Sequence, residues 1–176
     1  DGDVDARLLA GLFDCLDRAQ RHVVVVSVQH IDLRALAALE ERSDEDGVTF
    51  IVLDACYRAD GVAYGRENFD WKDTFIPQVE LDWLQAQLSA AKGPVVIFAH
   101  QRLDDSAPHN VKNANAVRAV LEKSGKVLAV FQGHSHKNDY QQIAGIHYCT
   151  LVAMVEGSGI ANSGYTLLDV MPDHSL

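Results

Sequence analysis

Cysteine is scarce in this chain: three residues, Cys15, Cys56 and Cys149, in a sequence of 176. Their number is odd, they lie far apart, and no Cys-x-x-Cys pair occurs. That argues against a disulfide framework and a zinc ribbon. Cys15 falls in a helical pattern and Cys149 in a strand pattern, and both are expected as buried thiols. Positive charge is also in short supply, with 15 Lys and Arg against 25 Asp and Glu, a net charge of −10. A nucleic-acid backbone as main partner would need clustered cations, so it is not expected; the negative charge reads as solubility. No apolar run approaches the roughly 18 residues of a membrane span, and no secretory signal is visible at Asp1-Gly2-Asp3. The expectation is a soluble protein, cytoplasmic or periplasmic, with no membrane partner. The sequence has no Gly-x-x-x-x-Gly-Lys phosphate loop, no Gly-x-Ser-x-Gly elbow and no internal repeat.

What is present suits an ordinary globular protein. Hydrophobic residues make up 48% and charged residues 23%, enough for one domain, over 1–176, with a real core. Leu8, Leu9, Leu12, Phe13 and Leu16 recur at helical spacing over 5–21. Val23 to Val26 reads as a buried strand, and Leu33, Leu36 and Leu39 give a second helix over 31–41. Ser43 to Gly47 reads as a polar turn and Phe50 to Leu53 as a strand ending in Asp54. Pro77 is expected in the first turn of a helix whose apolar face is Leu81, Trp83, Leu84 and Leu88. Val95 to Phe98 is a strand, 101–112 a polar loop, Asn113 to Lys123 a helix and Val127 to Phe131 a strand. Gly145 to Val155 and Tyr165 to Val170 then read as consecutive strands of a meander. Helices alternating with strands before a run of strands favour an α/β sandwich around a mixed sheet.

The loop over 55–76 exceeds the usual connection of about 4–6 residues. Arg58, Tyr64, Arg66, Asn68, Trp71 and Lys72 are placed there either to meet a substrate or to pin the loop.

The chemistry concentrates at strand ends. His100 follows Phe98-Ala99, and His134 and His136 follow Phe131-Gln132-Gly133, so three imidazoles stand where strands open into loops. Neutral imidazole suits Zn, Mn and Fe, and rigid support behind with solvent in front suits a metal site. Asp104 and Asp105 follow His100, either as a solvated pair or as carboxylates that orient an imidazole. Asn138, Asp139 and Tyr140 are candidates to contact phosphate or a nucleoside. His147 reads as structural, and His22, His109 and His174 as exposed.

The order strand-His100, helix, strand-Gly133-His134-Ser135-His136 resembles the C-terminal half of the calcineurin-like metallophosphoesterases. Phe50 to Asp54, Leu81-Asp82-Trp83-Leu84, Val96 to His100 and the hairpin Gly145-Ile146-His147-Tyr148 fit that family's spacing. The likeness runs from about residue 5 to the end and leans towards the branch with manganese-dependent ADP-ribose and CDP-alcohol diphosphatases. The resemblance implies a metallophosphoesterase sandwich of mixed β-sheets flanked by helices, lacking its first strands. It implies two divalent transition metal ions (Mn, Fe or Zn), His100 and His134 on one and His136 on the other. It implies a metal-activated water attacking a phosphodiester, phosphomonoester or nucleotide pyrophosphate in a phosphorylated small molecule, a nucleotide-like one being among the options. Arg66, Asn138 and Tyr140 are the candidate substrate-binding residues; no residue is assigned as the catalytic acid or base.

Two divalent ions about 3.5 Å apart repel by roughly 19 kcal/mol at an effective dielectric of about 20. Neutral imidazoles do not offset that, so carboxylates are required. The family's Asp-x-His and Gly-Asp-x-x-Asp motifs are incomplete in this sequence. Asp1-Gly2 reads as the tail of the second motif, or Gly2-Asp3 as its start with Asp3 bridging. After the Val23 strand the family's Gly-Asn-His-Asp/Glu motif is replaced by Val28-Gln29-His30. Either His30 takes the catalytic histidine's place, or residues are missing between Ser27 and Val28, with a break there, which is the favoured reading. The alternatives to a two-metal enzyme are a non-catalytic interaction or structural module on the same fold, and a single-metal site built from the three histidines.

Overall fold

The computed structural model describes residues 14–17, 21–26, 41–45, 47–65, 67–68, 70, 72–104, 107, 109–152, 166–171, 173 and 175–176. Its centre is a six-stranded sheet in the order β3-β4-β5-β6-β8-β7. These strands are β3 (Glu41–Glu45), β4 (Val48–Leu53), β5 (Val95–Ala99), β6 (Val127–Gln132), β7 (Asp139–Ile143) and β8 (Ile146–Thr150). The four inner strands run parallel, and β3 and β7 close the edges antiparallel. Parallel strands buried on both faces read as continuous apolar runs, which is how β4, β5 and β6 read.

Alternation divides these runs between two cores. Ile51, Leu53, Val95, Ile97, Ala99, Val127, Val130 and Tyr148 pack with α1 (Gln78–Ala90) and α2 (Ala114–Ser124) through Leu81, Leu84, Leu88, Val117 and Leu121. Val48, Phe50, Val96, Phe98, Ala129 and Phe131 form the opposite core with Leu168 of β9 (Thr166–Val170). Phe50, Phe98 and Phe131 stack across three strands, with centroids 6.3 and 5.8 Å apart. Val127 and Val130 share a face despite being three apart because the register skips from Val95↔Val127 to Val96↔Ala129. Strand β9 belongs to an antiparallel sheet with β1 (Asp14–Asp17) and β2 (Arg21–Val26), in the order β1-β2-β9.

The mixed α/β sandwich and the strands at 23–26, 50–53, 95–98 and 127–131 are as expected; four local readings change. Asp14–Asp17 lies inside the segment read as a helix over 5–21, yet it is a strand with Cys15 opposite Val23; pairing with β2 overrides the helical spacing. Glu41–Glu45 is an antiparallel edge strand where the end of a helix and a polar turn were read. Its charged sequence suits a sheet edge and gives no apolar alternation to detect. The final strands are no meander: β8 lies parallel to β6, while β9 crosses to the other sheet. Pro77 caps α1 with extended backbone instead of entering its first turn, and its carbonyl accepts the Glu80 and Leu81 N–H groups. Helix α2 ends at Gly125 in the left-handed conformation, φ 64°. Among the described residues, no helix is long and apolar enough to cross a membrane.

Candidate metal centre

Parallel strands place their C-terminal ends on one edge of the sheet, the usual ligand edge of an open α/β sheet. Leu53 pairs with Ala99 and Phe98 with Phe131, so Asp54, His100 and the turn at Gly133 stand side by side there. The Gly133 N–H donates to the His100 carbonyl at 3.0 Å, joining the two histidine-bearing turns.

The His134 Nδ1 and His100 Nε2 atoms are 3.2 Å apart, with ring centroids 5.1 Å apart and the rings edge-on. Two imidazole nitrogens each about 2.1 Å from a tetrahedral ion would be about 3.4 Å apart. The spacing therefore fits one ion held between them as well as a direct hydrogen bond. Both His134 (φ 67°) and His136 (φ 56°) have left-handed backbone, and the Ser135 N–H donates to the Gly133 carbonyl at 2.8 Å, closing a γ-turn around His134. Such a φ costs an L-residue roughly 1–2 kcal/mol, so other contacts must impose it. His136 is exposed. Among the described residues, no group of three or more His, Cys, Asp or Glu side chains is arranged to hold a metal ion.

Sequence reading missed two residues at this edge. His109, expected to be exposed, is half-buried with its ring edge-on to His134 at 6.4 Å. The loop folds back, with the Val111 N–H on the Arg102 carbonyl, and no periodicity could signal that return. Asp54 is buried beside His100, its Oδ1 accepting the Cys56 N–H at 2.7 Å; an acid ending an apolar strand was the available signal. Burial, with the neighbouring Asp54 charge, pushes the Cys56 thiol far above its ordinary value, so Cys56 is a poor nucleophile at neutral pH.

Asp104 is neither solvated nor placed to orient an imidazole. Its side chain is 0% exposed, and both oxygens accept from Arg102, at 2.9 and 2.8 Å. Arg102 also donates to Asp139 at 2.6 Å. The bond to Asp104 leads the effects that hold the guanidinium charged, and the Arg102 bond holds the Asp139 carboxyl below its usual value. Asp139 is thus engaged by the protein itself. The Asn138 Oδ1 accepts the Val152 N–H at 2.8 Å. Tyr140 is 58% exposed, and its hydroxyl meets His147 Nδ1 at 2.7 Å.

In the 55–76 loop, Arg58 pairs with Asp60. The Tyr64 hydroxyl donates to the Asp70 carbonyl, and Asn68 bonds the backbone of Gly65 and Ala63. These contacts pin the loop, and Lys72 is exposed. His22 lies in β2. Arg66, Trp71, Asp105, His174, Asp3, His30 and the Ser27-Val28 junction lie outside the described residues.

No family model matches the sequence, and no curated protein matches it. Solved structures do. One is a dimetal phosphatase from Danio rerio, with TM-score 0.54 and 18% identity, covering 64% of this chain and 48% of that one. The chain spans about half the length of that structure, and the likeness is one of fold.

Proposed function

We propose, from this dimetal-phosphatase-like fold, that the chain carries the histidine side of a metal-dependent phosphoesterase. Its substrate would be a phosphodiester, a phosphomonoester or a nucleotide pyrophosphate. The observation that carries the reading is the His100–His134 pair, two imidazole nitrogens 3.2 Å apart at the ends of adjacent parallel strands. His100 and His134 would hold one ion and His136 would serve a second, with Asp54 the nearest described acid in register. Bound divalent ions supply an activated water and polarise the phosphoryl oxygens. Within the chain, the strand ends fix the two imidazoles, His109 walls the site beside His134, and the exposed ring of Tyr140 offers a stacking face for a nucleoside. Asn138 and Arg66 are the further substrate-binding candidates. A second reading, an interaction or structural module, is favoured by Val28-Gln29-His30 standing where the family's Gly-Asn-His-acid motif would follow β2.

The test is metal analysis by inductively coupled plasma together with hydrolysis of bis-p-nitrophenyl phosphate in Mn²⁺. Bound transition metal and turnover are expected, both lost in His134→Ala. A metal-free, inactive protein after Mn²⁺ reconstitution would favour the module.

A further inference from the structure

We infer that Arg102 and Asp139 are positioning residues, a clamp that holds the His134–His136 turn in its left-handed conformation. The importance attached to that turn rests on the proposed function. Arg102 lies two residues after His100, and Asp139 lies three residues after His136, so their bond spans the two histidine-bearing loops. Arg102 is itself fixed: its side chain is 9% exposed, and Asp104, fully buried, takes two of its donors in a planar fork. A guanidinium held this way offers its remaining donors in one direction, which lysine cannot reproduce.

The turn between the strands is anchored at both ends. Gly133 bonds the His100 carbonyl where the turn begins. Asp139 bonds Arg102, and Asn138 accepts from Val152, where it ends. Between these anchors stand two histidines with φ of 67° and 56°. Neither is a glycine, so local preference opposes the shape and surrounding contacts, these anchors among them, hold it. The remaining described contact of the Asp139 carboxylate is with the following Tyr140 N–H. Its side chain is 43% exposed, so removing it opens no core cavity.

Amide hydrogen exchange of the intact chain tests the clamp without metal. In Asp139→Ala, exchange at Gly133 and Ser135 should speed about ten-fold, while Ile97 and Val130 in the core strands change less than about two-fold. Arg102→Lys should do the same, since it keeps the charge and loses the fork. Unchanged rates at Gly133 and Ser135 in Asp139→Ala would overturn the proposal. So would a rise shared equally by Ile97 and Val130, which marks global loosening. A Co²⁺ titration separates this inference from the proposed function: apparent affinity should fall about ten-fold in Asp139→Ala. If wild-type protein takes up no Co²⁺ and the exchange contrast persists, the clamp stands and the metal reading falls.

Discussion

Replacing Gln132 by Met separates two forces that act in opposite directions on one buried side chain. Gln132 ends β6 with 0% exposure. Its Oε1 accepts the Leu103 N–H at 2.8 Å, and its Nε2 donates to the Thr150 hydroxyl at 3.0 Å. It thereby ties the loop after His100 to β6 and β8 through the core. Methionine has nearly the same length and is more apolar, so burial alone predicts that the variant gains stability, by roughly 1 kcal/mol. Hydrogen bonding predicts the reverse. A buried N–H left without its acceptor costs about 1–3 kcal/mol, and the lost bond to Thr150 adds roughly 1 kcal/mol. The polar terms outweigh the apolar gain, for a net loss of about 1–3 kcal/mol. In a domain of this size that lowers Tm by roughly 2–12 °C. Urea unfolding followed by circular dichroism should show a lower midpoint with an unchanged m-value. A variant as stable as the parent, or more so, would refute the reasoning and show that the amide does not hold the loop.

Other consequences follow from burial and backbone geometry. Tyr148 is fully buried, and burial pushes its hydroxyl up to about 12. An unfolded tyrosine ionises near 10, so stability is intact below that pH and falls as pH rises, by about 1.4 kcal/mol per unit, until the folded group ionises too. Denaturant midpoints between pH 9 and 12 (about the range of the tyrosine titration) should fall more steeply in the parent than in Tyr148→Phe; parallel profiles would contradict this. Gly125 ends α2 with φ +64° and nothing within 4 Å of an added Cβ. Gly125→Ala should therefore cost only the left-handed strain, about 1 kcal/mol, measured by urea titration; a loss of about 3 kcal/mol or more would point to a clash.

Much of the fold was legible because burial writes itself into apolar runs. Val95 to Ala99 and Val127 to Gln132 are covered on both faces, and no alternation was needed to find them. Polar sequence hid the edge strands: Glu41–Glu45, mostly charged, and Asp139–Ile143, with two glutamines, owe their conformation to pairing with β4 and β8. The same limit applied to Asp14–Asp17, whose helical spacing yields to pairing with β2.

The sequence by itself determined the parallel core strands, the two helices against them, and the fact that His100, His134 and His136 follow strand ends. Those properties depend on local order along the chain, which periodicity and turn residues record. Tertiary structure decided which of these groups meet. It set His100 against His134, returned His109 to their side, buried Asp104 under Arg102 and reached from there to Asp139. Each of those contacts joins loops from different strands. Their geometry follows from how neighbouring strands register at the sheet's edge, a relation that no one-dimensional spacing encodes.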